Sequence, residues 1–218
     1  MPSWHRFAIA VLGLLFLAAT ADAESGTKTA KPIISPDRAF RVEQTMTLSD
    51  DDGRVEIAIR NLEDKSVAPL NGGEETGYFA GFRFTPDSKW LVRMQKTGAG
   101  WSTLYLYKRD GATFKSATPR EFGQMALDYF FEQPASKGFP REPDHLRIGL
   151  FDGLEKNYRA LGEKWPGSRY VVVTIEGNTG IETRIDGWRC VYDLQDAKFF
   201  VPDSFAAHNS KAVRLGER

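Results

Sequence analysis

Two histidines, His145 and His208, lie beyond the N-terminal segment, and they are where chemistry near neutral pH would start, because imidazole titrates there. A Ser-His-Asp triad would set one of them beside a nucleophilic serine, with a carboxylate behind the ring. Asp144 directly precedes His145, but residues adjacent in sequence rarely orient one another's side chains. No Gly-x-Ser-x-Gly elbow is present. His208 sits in the string AAHNSKA, which reads as part of a final short helix. Both histidines therefore read as surface or structural residues, and no catalytic residue is assigned. Asp50-Asp51-Asp52-Gly53 invites a calcium reading, yet a calcium loop spaces its carboxylates at alternate positions, so the run reads as a solvated turn. Glu74 and Glu75, after Asn71-Gly72-Gly73, read as a polar loop. Cys190 is the only cysteine. It permits neither an intrachain disulfide nor a zinc site of several thiolates, and it shares a strand face with Trp188, which predicts burial. No cofactor and no metal is expected.

Trp101 is the candidate contact residue. It follows Gly98-Ala99-Gly100 in an expected hairpin loop, where an exposed indole offers a large rigid surface to a partner. Trp90 is different. With Phe40 and Tyr170 it occupies the aromatic position of a repeat, and it is expected in the core.

That repeat supplies the elements that would position these residues. Ser35-Pro36-Asp37-Arg38-Ala39-Phe40-Arg41-Val42, Thr85-Pro86-Asp87-Ser88-Lys89-Trp90-Leu91-Val92 and Trp165-Pro166-Gly167-Ser168-Arg169-Tyr170-Val171-Val172 align. In each, Pro fixes φ for a tight turn, and Asp or Gly suits the next position. The aromatic and the valine, two residues apart, then face one side of a strand. The middle copy predicts four strands, at 79–84, 89–94, 103–107 and 113–115, joined as an up-and-down meander. The string FRFTPDSKWLV resembles the strand-SPDG-strand core of TolB-type β-propeller repeats. In that family each unit is one blade, and the blades circle a channel. The family has Gly after the Asp, where this chain has Arg38 and Ser88. Three blades do not close a ring of the usual four to eight. The resemblance therefore implies either an open or sandwich-like sheet or a further degenerate blade, and it implies binding of proteins or ligands.

The fold class expected is mainly β: antiparallel four-stranded meanders resembling propeller blades, incomplete or open, with an inserted α-helix near 119–133. Thr118-Pro119-Arg120-Glu121 is a capping-box string. Phe122, Met125, Ala126 and Tyr129 follow at helical spacing. A second short helix is expected from Asp152 and a last one capped by Asp203. The expected organisation is a signal peptide at 1–23, a flexible lead-in at 24–33, and one β-rich domain at 34–218 with repeats near 34–70, 78–116 and 164–203.

The leader rests on the apolar run Phe7 to Ala19, which is shorter than the ~20 residues of a membrane span, and on Ala21-Asp22-Ala23. The expectation is a periplasmic or secreted protein, cleaved after Ala23 and without stable membrane insertion. Lys plus Arg is 29 and Asp plus Glu is 29, a balance that argues against nucleic-acid binding, which needs surplus cations. The preferred function is an exported, non-catalytic binding module for a protein or envelope component. The rivals are a secreted hydrolase of peptides or glycans using His145 and nearby acids, and a structural subunit that self-associates. N-terminal sequencing of the exported protein should read Glu24 as the first residue; a mature chain that keeps Phe7 to Leu17 would contradict this.

Overall fold

The computed structural model describes residues 26–48, 53–73, 76–151 and 167–216. The expected leader, the Asp50–Asp52 run, Glu74 and Glu75, the helix expected from Asp152 and the turn expected at Trp165-Pro166 lie outside those residues. The fold is mainly β. Its strands are β1 (Thr27–Thr29), β2 (Ile33–Ile34), β3 (Phe40–Leu48), β4 (Gly53–Asn61), β5 (Val67–Pro69), β6 (Gly81–Phe84), β7 (Trp90–Gly98), β8 (Trp101–Asp110), β9 (Thr113–Ser116), β10 (His145–Leu150), β11 (Tyr170–Thr179), β12 (Thr183–Asp193), β13 (Lys198–Phe200) and β14 (Val213–Arg214). Helix α1 is Phe122–Phe131 and helix α2 is Asp203–Ala212.

The repeated turn is built from the same bonds in its first two copies. Ser35 Oγ donates to Asp37 Oδ1 at 2.6 Å, and Thr85 Oγ1 donates to Asp87 Oδ1 at 2.7 Å. The same hydroxyls accept the N–H groups of Phe40 at 2.9 Å and Trp90 at 3.0 Å. The residue after each Asp is left-handed, with φ 60° at Arg38 and 57° at Ser88. That conformation is the one glycine adopts without cost, which explains why Gly suits this place in the resembling repeats. The two turns also meet, since the Asp37 N–H donates to the buried Ser88 Oγ at 3.0 Å. In the third copy the described residues keep the strand half. Leu194 N–H donates to Arg169 O at 2.8 Å, as Leu62 does to Ala39 and Arg109 to Lys89.

Each aromatic-valine pair buries into a different apolar cluster. Phe40 and Val42 enter the one between the first and second meanders. Trp90 and Val92 face the opposite side, towards α1 and the third meander. Tyr170 and Val172 pack with Phe205 of α2. The second meander, β6 to β9, is thus covered on both faces. The third consists of β10, β11, β12 and β13 in antiparallel order. Its first strand, β10, precedes β11 in the chain by about twenty residues and was not among the expected strands. β10 also pairs in parallel with β8, Leu146 opposite Trp101 and Arg147 opposite Ser102. That pairing joins the second and third meanders into one nine-stranded sheet, while the first lies in a separate five-stranded sheet.

Three local expectations are corrected. Thr27–Thr29, expected as flexible lead-in, is a strand paired with Thr45–Thr47 of β3. Its side chains are exposed, so backbone bonds alone hold it and the sequence shows no apolar pattern. Helix α1 starts at Phe122, after Glu121, because the Thr118 hydroxyl donates to Arg120 O and the Glu121 carboxylate accepts from the hydroxyls of Thr103 and Tyr105. The buried face is Phe122, Ala126, Leu127 and Phe130, so Met125 and Tyr129 flank the stripe. Asp203 lies inside the first turn of α2, and Pro202 precedes it at the cap position.

Gly123 is where α1 meets β8. A Cβ there would approach Leu104 N to 2.8 Å and run into the Thr103 hydroxyl. Helix propensity alone predicts that Gly123→Ala gains about 1 kcal/mol. The backbone contact cannot yield, so the expected result is a net destabilisation of about 1–2 kcal/mol, read from the denaturation midpoint.

Candidate functional site

Strands β10, β11 and β12 have two differently used faces. Leu146, Ile148, Val171, Val173, Ile175, Trp188 and Cys190 point into the core beneath α1. On the other face, α2 covers only one end, where Phe205 packs on Val172 and Val191. Among the described residues nothing covers the remainder, a groove of about 730 Å³ lined by His145, Arg147, Phe151, Thr174, Arg184 and Arg189, among others.

Strand register arranges these side chains in rows across the sheet. His145 lies opposite Asn178, which lies opposite Arg184; Arg147 lies opposite Glu176; Thr174 lies opposite Arg189. Gly187 keeps the floor low. Its φ of 69° suits glycine, and a Cβ there would sit 3.5 Å from Thr174 Oγ1.

The edge of β12 explains how Arg189 is fixed. On that edge β14 pairs with Arg184 and Ile185, and β13 pairs with Val191 to Asp193. Between them α2 supplies the missing partners. Arg189 N–H donates to Asn209 Oδ1 at 2.9 Å, and Asn209 Nδ2 donates to Arg189 O at 2.7 Å. His208 Nε2–H donates to Gly187 O at 2.7 Å. Asn209 is buried, so its amide acts as a two-bond replacement for a strand.

The charges in the groove are unevenly matched. Arg184 pairs with Asp186 at 2.9 Å, and Arg214 reaches the same carboxylate at 3.5 Å. The Arg189 guanidinium lies 3.7 Å above the Phe151 ring. Among the described residues its buried Nε has no hydrogen-bond partner. Burial holds the Arg189 pKa below its ordinary value, with no carboxylate offsetting it. Arg147 is exposed and makes no ion pair among the described residues.

The sequence candidates are now placed. His145 lines the groove, its Nδ1 3.0 Å from Asn178 Oδ1, while the Asp144 carboxylate accepts the Gly180 N–H at 2.9 Å. His145 and Asp144 are therefore not a dyad. His208 holds the floor from behind and does not line the groove. Trp101 opens β8 and is 38% exposed. It follows Gly100, where a Cβ would come within 2.9 Å of His145 Cγ, but Trp101 itself is in register with Leu146 and does not line the groove. Cys190 is fully buried next to Trp188, and burial pushes its thiol pKa up. Among the described residues, no group of three or more His, Cys, Asp or Glu is placed to hold a metal ion. Arg147, Phe151, Thr174, Arg189 and Asn209 went unnoticed in the sequence. Their only signal is the alternation of β10, which places Arg147 on the face opposite Leu146 and Ile148.

No family model and no curated protein matches the chain. Among solved structures it is similar to TolB from Acinetobacter baumannii, at 12% identity and a TM-score of 0.34, over 79% of this chain and 31% of that one. It is also similar to a structure from an analysis of two prolyl endopeptidases, at 10% identity and a TM-score of 0.36, over 79% of this chain and 21% of that one. The chain spans less than a third of either. Among the described residues no helix is long and apolar enough to cross a membrane.

Asn209→Ala should destabilise the protein by about 1–3 kcal/mol, because it leaves the N–H and C=O of Arg189 unpaired. Thermal or urea denaturation checks this, and an unchanged midpoint would show that water replaces the clamp without loss.

Proposed function

We propose that this chain is an exported, non-catalytic module that binds a protein or cell-envelope partner in the groove over β10, β11 and β12. The groove itself carries the reading. It is concave, built on strands rather than loops, and holds a few oriented polar groups beside an aromatic ring, which is the build of a recognition site. His145 is paired with an amide, and among the described residues no carboxylate orients it as the base of a hydrolase requires. Trp101, exposed at the start of β8, is proposed as a second contact. Export rests on the apolar run Phe7 to Ala19 and the small residues at Ala21 and Ala23. Residues 34–218 are proposed to act as one β-rich unit. A neutral net charge supports a partner other than nucleic acid.

Site-specific photo-crosslinking in the producing cell tests this reading. A photoreactive residue at position 174, on the groove floor, should give a discrete adduct, and one at position 115, on β9, should not. Trp101→Ala should weaken the position-174 adduct. Absence of any adduct at 174, or identical adducts at both positions, would count against the groove as the binding site.

A further inference from the structure

The groove has a surplus of cation at a defined place. Asp186 is shared by Arg184 and Arg214, so its charge is already matched. Arg147 on β10 and Arg189 on β12 stand on the same face with β11 between them, and neither makes an ion pair among the described residues. The Arg189 backbone is clamped by Asn209, and its guanidinium is stacked on Phe151. That planar cation is held at fixed height and orientation, and its buried Nε has no hydrogen-bond partner among the described residues. A buried donor without an acceptor is costly, and a guanidinium satisfies that cost best by meeting a carboxylate edge-on through two parallel N–H···O bonds.

We infer that the groove recognises a carboxylate of an acidic peptide segment, received by Arg189, with Arg147 on the far side of β11 and with the flanking apolar part of the segment against Phe151. The inference rests on the binding-module reading and names its ligand class. Two features select this class of anion. Glu176 and Asp186 also line the groove, and they repel a polyanion while leaving room for isolated carboxylates. The volume of about 730 Å³ accommodates several residues rather than a single ion. The lowered Arg189 pKa agrees with a guanidinium desolvated in advance of its partner.

The test has two arms on the purified, processed chain. In the first, the Arg189 Nε–H resonance, assigned by its loss in Arg189→Lys, is followed during titration with sodium benzoate and, separately, with sodium chloride. Benzoate should shift it saturably, and chloride at equal ionic strength should not. No shift, or the same shift with both salts, overturns the carboxylate site. In the second arm, anisotropy compares a labelled, C-amidated dodecapeptide of Glu and Ala around a central Phe with its counterpart carrying Gln at every Glu. The acidic peptide should bind about tenfold or more tightly than the Gln peptide, and Arg189→Gln should abolish the difference. Arg189→Gln should leave the denaturation midpoint near wild type, since the Asn209 clamp acts on the backbone. Benzoate binding without peptide binding would overturn the peptide in favour of a small free acid. Equal binding of both peptides would overturn the charge inference yet leave the binding-module reading intact, because the position-174 crosslink tests that reading without regard to charge.

Discussion

The C-terminal half of this protein depends on the incomplete edge of β12. A buried strand must pair its backbone donors and acceptors on both sides. β11 meets that requirement along one side. On the other, β14 and β13 serve the ends, and the stretch between them is left to side chains of α2. Asn209 and His208 close the gap. The helix is thereby tied to the sheet at the place where it stops covering the sheet face, and its boundary becomes the wall of the groove. One backbone requirement thus sets the position of α2, the height of Arg189 and the extent of the open surface.

A second constraint links the first two meanders. Their turns use a side-chain hydroxyl and an Asp to hold a left-handed residue in place, so each turn is rigid before it packs. Ser88 then serves twice, as the left-handed residue of its own turn and as the acceptor for Asp37 N–H. Arg109 adds to the junction, with Nη1 2.9 Å from Asp37 Oδ2 and its guanidinium over the Phe40 ring at 4.4 Å. The meanders are fastened at their turns as well as through the Phe40, Phe84 and Phe114 rings between them. The second and third are joined differently, by the parallel bridge of β8 and β10 and by the insertion of α1. Blade-like units in one chain therefore associate in two ways, face to face and edge to edge.

The groove follows from this arrangement rather than from a local motif. Its arginines come from two strands separated by about forty residues of chain and are brought to one face by a register that no single segment specifies. Its aromatic, Phe151, is fixed by an N–H···O bond to Val172 at 3.1 Å. What the surface offers chemically is a desolvated, oriented cation beside a ring, within a molecule whose total charge is balanced.

The sequence by itself determined the features whose physics is local. The Pro-Asp turns, the four strands of the middle meander, the amphipathic α1 and the shared face of Trp188 and Cys190 all follow from residue conformational preference and from periods of two or 3.6. Residues 119–133 revealed a helix but placed its start too early, because the Glu121 carboxylate is taken by Thr103 and Tyr105, which are distant in sequence. Only the tertiary structure decided that β10 leads the third meander, that it lies parallel to β8, and that α2 packs on one end of the sheet face at Val172 and Val191. It also decided that Arg189 makes no ion pair with a carboxylate among the described residues. The reason is the same in each case: which strand edges meet and which charges are matched depend on contacts far apart in the chain, and residue spacing carries no record of them.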